Sequence, residues 1–598
     1  MSQSLLTRYE WKDLPWKKIQ VKVFKLQRRI YQASLSGNVK KVHRLQRLLT
    51  KSWSARCLAV RRVTQENQGK KTAGVDGVKS LTPVKRINMV NTLEVNASGL
   101  PTRRVWIPKP GKDEERPLGI PVMRDRVTQA LLKLALEPEW EAKFEPHSYG
   151  FRPGRSTHDA IEAIHTAICQ KAKYVLDADI AKCFDKINHQ KLLEKLNTFP
   201  TLERVIRDWL KSGVIDKGSL FTTEEGTPQG GVISPLLANI ALHGLETTIL
   251  SAFPTSIKIE GKVHKWKPQV IRYADDFVIL HPDRQALDKC KEIASRWLGE
   301  LDLEFKPSKT RITHTLNKIE ENTEAGFDFL GFNIRSYRVG KNNCGKNNGT
   351  KTGFKTLVKP AQEKVKAHYR KMARKIKQCR PATQDELIMQ LIPIITGWCN
   401  YYSSACSKET FVELDHKLFW KLFRGWAKFR HPKKSGKWIA RKYWHIQKHK
   451  NWTFGNDKLV LPKHSNTKIT RHTKVKGDSS PYDGNWTYWS QRKGQYPGIS
   501  KRITITLKKQ KGKCAECGLN FHPDDLIEIH HKNGNHKENR LENLVAVHQH
   551  CHDQIHGGQG NLSTQLSTHD KGQLGEEPCD VKVSRTVLKP SMRGDSHA

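Results

Sequence analysis

VIRYADDFVIL, residues 270–280, places two adjacent carboxylates, Asp275 and Asp276, between two apolar runs. Val270 and Ile271 lead in and residues 277–280 lead out, which reads as strand, tight tip, strand. A buried hairpin gains nothing structurally from like charges side by side, because they repel each other and resist desolvation. A divalent cation at the tip removes both objections. Oxygen-only ligands suit Mg²⁺, which keeps several waters and is commonly shared with substrate phosphates. Taken alone the tetrapeptide YADD is weak, since a solvated Asp-Asp turn carries the same letters.

Outward from that point, YVLDADIAKCFDKI (174–187) offers a second apolar strand ending in acid, at Asp179. A third carboxylate beside the hairpin completes a two-metal phosphoryl-transfer site. One ion there would activate a primer 3′ hydroxyl and the other would stabilise the leaving pyrophosphate. GTPQGGVISPLLANI (226–240) sets Gly226, Gly230 and Gly231 around Pro228 and Gln229, ahead of an apolar helical run. Such a loop lets backbone approach a base pair or a phosphate, and it equally fits an ordinary turn before a helix.

These blocks, in this order, resemble the palm of a reverse transcriptase, specifically that of a group II intron-encoded protein. TAGVDG (72–77), RRVWIPKPGKDEERPLGIP (103–121), SYGFRPGRS (148–156), LEFKPSKT (303–310) and FDFLGF (327–332) extend the match, which runs from Trp11 to His556. The resemblance implies Asp179, Asp275 and Asp276 as catalytic ligands of Mg²⁺. It implies Phe184 as the ring beneath the sugar that excludes a 2′-OH, and Gln229 and Gly230 as part of the substrate pocket. Arg104 or a neighbour among Arg103, Lys109, Lys112 and Arg116 would meet the incoming nucleotide, and Lys309 would lie near the primer-template. Core packing for Phe184 and plain solvation for Lys309 are the bland alternatives.

Composition agrees. There are 105 Lys+Arg against 59 Asp+Glu, a net charge of +46 over 598 residues. A field that strong attracts phosphate backbones and makes binding salt-dependent. The length implies several domains. No run of 18 apolar residues reads as a membrane span, and MSQSLLTRYEWKDLPWKK lacks the apolar stretch of a signal peptide. A cytoplasmic, nucleoid-associated protein is expected. Of twelve Cys, only Cys514 and Cys517 form a CxxC pair, which suits a reducing compartment.

The expected architecture is multidomain α+β: right-hand-like fingers and palm, an α-helical thumb or maturase domain, and a small zinc-stapled ββα-metal domain. Residues 1–70 read as basic helices, with Val21, Phe24, Leu26 and Ile30 as one apolar series and Val42, Leu45, Leu48 and Leu49 as a second. By resemblance this extension binds intron RNA and template. Residues 71–340 read as fingers and palm. VGKNNCGKNNGTKTG (339–353) has loop or linker composition. Residues 354–407 resemble the thumb or maturase domain, with Val365, Tyr369, Met372 and Ile376 at helical spacing among cations. Residues 408–500 resemble the DNA-binding region. Within 408–476 there are 19 Lys+Arg against four acids, interleaved with Trp420, Trp426, Trp438, Trp444 and Trp452. The charges supply affinity and rings can stack on bases, although most of these Trp are expected to be cores of small helical units. The tail 558–598 is polar and charge-balanced and reads as disordered.

KCAECG followed by EIHHKNGNHKENRLENLVAVHQHCHDQIH, ending at His556, carries a second chemistry. Cys514, Cys517, His548 and Cys551 form two knuckles of equal spacing, a closed tetrahedral set suited to structural Zn²⁺. His550 could replace His548. The region, 510–557, resembles an HNH nuclease. By that resemblance His531 is the general base, Asn543 orients the His-bearing loop, and His530, His552 and His556 hold a catalytic divalent metal, Mg²⁺ by expectation. A zinc knuckle without catalysis is the alternative.

The resemblance therefore implies three roles: RNA-directed DNA polymerase, maturase for the host intron, and endonuclease for the second strand of the target during retrohoming. Its partners would be group II intron RNA, target DNA and dNTPs, with homodimerisation left open. Two other readings stand beside it. One is a free-standing reverse transcriptase of a defence or diversity-generating element. The other is an RNA-binding splicing factor with a vestigial polymerase, against which Asp179, Asp275 and Asp276 all argue.

Overall fold

The path from Trp16 to Arg61 is set by alternating basic and apolar positions, which make three helices, Trp16–Leu35, Val39–Lys51 and Trp53–Arg61. The computed structural model describes residues 10–557 apart from 96–98, 109–114, 228, 322–323, 341, 348, 448–449, 497–498 and 537. Lys109, Lys112 and the tail 558–598 lie outside the described residues. The three helices pack on the long helix Met123–Glu141. The buried stripe of the first is Ile19, Val23, Gln27 and Ile30 rather than Val21, Phe24 and Leu26, which are only half-buried. Phe24 instead meets the ring of Trp486 at 3.9 Å, so tertiary contacts rotate the expected face. In the second helix Val42, Leu45 and Leu49 are buried, whereas Leu48 is exposed.

The centre is a four-stranded antiparallel sheet in the order Arg311–His314, Tyr174–Asp179, Asp276–His281, Gln269–Tyr273. Strand alternation divides its side chains between two cores. Val175, Ile271, Val278 and Leu280 join one core with Phe327, Phe332 and the helices beyond residue 362. Leu176, Ala178, Phe277 and Ile279 join the other with Leu236, Ile240 and Leu287. A second sheet is ordered Glu115–Ile120, Thr102–Pro108, Val214–Asp216, Ser219–Phe221.

Beyond the central sheet, Phe332–Arg338 and Phe354–Pro360 pair along seven residues. The Gly/Asn/Lys stretch 339–353 is thus the loop of a β-hairpin rather than a tether. Helix Gln362–Gln378 buries Val365, His368, Met372 and Ile376, while Tyr369 is half-buried and Lys366, Arg370, Lys371 and Arg374 stay exposed. Helix Gln384–Tyr402 starts at a capping box in which Thr383 and Glu386 satisfy each other's backbone N–H.

Near the end, strands Ile527–His531 and Leu544–His548 pair antiparallel and run into helix Gln549–Gly557. This unit sits on the first helices: Gln554 Nε2 donates to Lys12 O at 2.8 Å and Gln65 Nε2 to Asp553 Oδ2 at 2.6 Å. Among the described residues no helix is long and apolar enough to cross a membrane.

Candidate functional site

Register assembles the acidic cluster. Asp179 lies opposite Asp276 across the two central strands, and Tyr273 opposite Asp276 across the hairpin. The two-residue tip is therefore Ala274–Asp275, and Asp276 already belongs to the outgoing strand. This tip is not a solvated turn, since Ala274 is 3% and Asp275 5% exposed, and the facing Asp179 is 6% exposed. Asp177 and Asp179 share the sheet face of Val175, and Asp276 shares that of Val278.

Cations stand directly on two of these carboxylates. Lys309 Nζ is 2.7 Å from Asp179 Oδ2, so the lysine of PSKT reaches the cluster itself. Arg311 is the register partner of Asp177 and contacts it at 3.3 Å. Burial raises the Asp177 carboxyl to about 6, with Arg311 opposing the rise. A cleft of about 350 Å³ is lined by Asp177, Asp179, Asp276, Lys309, Arg311 and Asp328. Low-exposure carboxylates gathered on paired strands have no packing role, and they match the donor set of a hard divalent cation. Asp177 and Arg311 escaped the sequence reading. Their signal was the i, i+2 spacing of two acids on one strand face.

Residues expected on the nucleotide side also lie near one another. Gln229 Nε2 is 3.3 Å from Asp185 Oδ1. Burial raises the Asp185 carboxyl, opposed most by the Arg104 guanidinium. Gly119 N donates to Gln229 O at 2.6 Å, and a Cβ at Gly230 would stand 2.7 Å from Gly119 O. Only glycine lets this loop lie against strand Glu115–Ile120 at that point. Phe184 is half-buried, with its ring 5.9 Å from that of Phe151 in an edge contact. Phe184→Ala is expected to relax discrimination against ribonucleotides, read as the ratio of dNTP to NTP incorporation. One steric contact of this size is worth roughly 10–200-fold in selectivity. An unchanged ratio would return Phe184 to a purely core role.

Two further clusters lie at the C-terminal end. Cys514, Cys517, His548 and Cys551 each bring a ligand atom within 4.8 Å of the others. His548 turns Nδ1 to the sulfurs, 3.4 Å from Cys517 and 3.9 Å from Cys551, and Nε2 to Asp525 Oδ2 at 3.3 Å. A carboxylate behind a ligating imidazole is the usual support for a metal-bound histidine. Three thiols and one such imidazole fit zinc. His550 is not part of this set. Its Nδ1 is 3.9 Å from Glu66, and its ring meets Trp16 edge-on. Burial, with Arg61 nearby, holds its imidazole neutral, at about 2.

His530, His552 and His556 form the other cluster, also within 4.8 Å. Glu528, two residues before His530 on the strand, holds His552 Nδ1 at 2.6 Å and was not foreseen. His531 is 6% exposed and follows His530 on the same strand, with Nε2 3.4 Å from Asn539 Oδ1. Asn543 accepts from Asn533 N at 3.1 Å and donates to Glu538 O at 3.0 Å, so it fixes the loop that follows His531.

Of the five interleaved Trp, Trp426 and Trp444 are buried, but Trp420, Trp438 and Trp452 are 40%, 36% and 56% exposed. The expectation that most are core is corrected. Arg424 lies over Trp420 at 4.6 Å and Lys442 over Trp438 at 4.9 Å, so a cation accompanies both of these exposed rings.

Comparison with known proteins bears on these sites. The family described as reverse transcriptase (RNA-dependent DNA polymerase) matches residues 107–334, the N-terminal domain of reverse transcriptase matches 11–93, and the group II intron maturase-specific domain matches 365–444. Protein YkfC of Escherichia coli (strain K12) is 31% identical over 358 residues, 52% of this chain and 88% of YkfC. Group II intron-encoded protein LtrA of Lactococcus lactis subsp. cremoris is 30% identical over 373 residues, 51% of this chain and 61% of LtrA. Maturase-like protein 1 of Euglena longa is 28% identical over 352 residues, 56% of this chain and 68% of that protein. The match thus takes in less than two thirds of LtrA.

Proposed function

This chain belongs to the group II intron-encoded reverse transcriptases, and from that premise we propose that it copies intron RNA into DNA, assists splicing of that RNA, and cuts the second strand of a DNA target. The observation that carries the polymerase reading is the register pairing of Asp179 with Asp276 beside a buried Asp275. These three would hold two Mg²⁺ ions, which when bound activate the primer hydroxyl and steady the leaving pyrophosphate. Lys309 neutralises Asp179 and, on the cleft side, can meet primer phosphate. Gln229 and Gly230 would support the templating pair, and Arg104 the triphosphate.

The nuclease reading rests on the C-terminal geometry. His530, His552 and His556 would hold a divalent metal, which when bound stabilises charge on the phosphate and the leaving oxygen. His531 would take the proton from water, with Asn543 setting its loop. Cys514, Cys517, His548 and Cys551 would hold zinc as a staple for a unit whose apolar core is small. The limits 1–70, 71–340, 354–407, 408–500 and 510–557 are proposed as functional divisions, although the hairpin of Phe332–Arg338 with Phe354–Pro360 spans the second boundary.

For RNA, the exposed Lys366, Arg370, Lys371 and Arg374 supply charge, and for DNA, Trp420 and Trp438 with their cations supply stacking. The test is splicing of the host intron RNA by the purified protein at low Mg²⁺, with affinity followed against salt. Affinity should fall steeply, since each phosphate contact contributes a log–log slope of roughly −0.9 on duplex DNA. No stimulation of splicing together with a flat salt profile would sink the maturase reading.

A further inference from the structure

The hairpin that carries Asp275 and Asp276 turns on Ala274, whose φ of 58° is left-handed for a residue with a Cβ. Such a conformation is costly and persists only where surrounding structure imposes it. What imposes it lies on the far side of the sheet from the carboxylates. Arg272, two residues before Ala274, is the register partner of Phe277 and shares its face. Its guanidinium is buried, 2% exposed. Nη1 donates to Ala274 O at 3.2 Å and to Asn239 Oδ1 at 3.1 Å.

Asn239 sits on helix Ser234–Ala241, 1% exposed, and donates Nδ2 to Gly150 O at 2.7 Å. Gly150 lies against the turn itself, where a Cβ would stand 2.3 Å from Ala274 N. The segment leading to it is hydrogen-bonded to the incoming strand: Arg272 N donates to His147 O and Tyr149 N to Arg272 O, both at 2.9 Å. Three stretches far apart in sequence therefore meet around the turn, linked by an asparagine whose two ends bond Arg272 and Gly150.

A buried guanidinium is a costly way to fill space. Apolar side chains of similar volume usually do it as well or better. Burial lowers the basicity of Arg272, and Glu145 works most strongly against that loss. An arginine kept under these conditions calls for a task that an apolar residue lacks. The task visible here is to hold the carbonyl of Ala274, the residue directly before Asp275.

We propose that Arg272 and Asn239 are positioning residues that set the turn at Ala274 and so fix Asp275 in the turn and Asp276 at the cleft wall. This rests on the polymerase reading, and the pair acts through the turn without touching substrate. The Gly150 contact is the wall against which the turn is pressed. A one-ångström misplacement of a catalytic group can cost about 100-fold in rate.

The experiment compares wild type, Arg272→Lys and Asn239→Ala in single-nucleotide addition on an RNA template, with dNTP KM, RNA Kd and the melting curve measured in parallel. Arg272→Lys keeps the charge, but its ammonium ends one bond short of Nη1 and lacks the planar group that sets Nη1 between the two acceptors. Asn239→Ala removes both links and introduces no new charge. For both, kcat should fall by about 100-fold with KM and RNA Kd unchanged. Should Arg272→Lys fail to fold, Asn239→Ala decides. A folded Asn239→Ala with near wild-type kcat overturns the proposal, and so does joint loss of RNA binding and activity, which would make the pair a stability element. A wild type that adds no nucleotide overturns the polymerase reading and the proposal with it, whereas an active wild type beside an equally active variant overturns the proposal alone.

Discussion

Asp275→Ala and Asp276→Ala should each abolish RNA-templated DNA synthesis while leaving RNA binding intact. Removing one preorganised electrostatic group commonly costs about 10²–10³ in kcat. A carboxylate that both holds a metal and orients a nucleophile belongs at or above the top of that range. Asp275 is 5% exposed, and Asp276 faces Asp179 across the strands, so neither residue is a surface charge whose loss the solvent would hide. The melting temperature should not fall much. Like charges gathered at one turn destabilise the folded chain, and removing one relieves repulsion. RNA affinity should hold because carboxylates repel phosphate and the cations that attract it lie elsewhere, as on helix Gln362–Gln378. Primer extension on an RNA template with Mg²⁺, beside an RNA-binding titration, reads both arms. Extension at near wild-type rate by both variants would remove the hairpin from the active site.

The palm was legible because its chemistry contradicts ordinary folding. Two acids within an apolar hairpin, and a third at the end of another apolar strand, have no packing use, so the residue types alone point to metal-assisted phosphoryl transfer. The register that joins Asp179 to Asp276 follows once both strands sit in one sheet. The contacts beneath the turn were not legible. Nothing in SPLLANI says that Asn239 faces Arg272, because that meeting depends on which way one helix rolls over one sheet. The first helix shows the same limit. Its periodicity permits several apolar stripes, and the choice is made by Trp486 and Tyr482, more than four hundred residues later, through their contacts with Phe24. The Trp-rich region misled for a related reason. A tryptophan's size argues for burial, and whether a ring is left outside, as at Trp420 and Trp438, depends on how the surrounding helices pack. The choice between His548 and His550 was likewise beyond spacing. Helix geometry and Asp525 decide it by turning one imidazole to the sulfurs and leaving the other against Trp16.

At the C-terminal end the expected result is a separation of two functions that share about forty residues. His531→Ala should eliminate second-strand DNA cleavage, with zinc content and reverse transcription unchanged. A positioned general base contributes about 10²–10⁴ in rate. His531 belongs to neither ligand cluster, so both metal sites should survive its loss. Cys514→Ala should act differently. Structural zinc in small modules supplies about 10–16 kcal/mol of folding free energy at neutral pH. The core beneath it is modest, built on Ile503, Leu507, Phe521, Ile527, Ala546 and Val547. Without the fourth ligand this module should unfold, and cleavage should be lost indirectly along with the Gln554 and Asp553 contacts to the first helices. The central sheet has its own cores and should keep polymerising in both variants. Bound zinc, nicking of a target-site duplex by the ribonucleoprotein, and primer extension are measured together. Normal nicking by His531→Ala refutes the general-base assignment, and normal zinc in Cys514→Ala refutes the knuckle. Loss of zinc in His531→Ala would mean that the two clusters are one folding unit after all, in which case the base and the staple cannot be assigned separately.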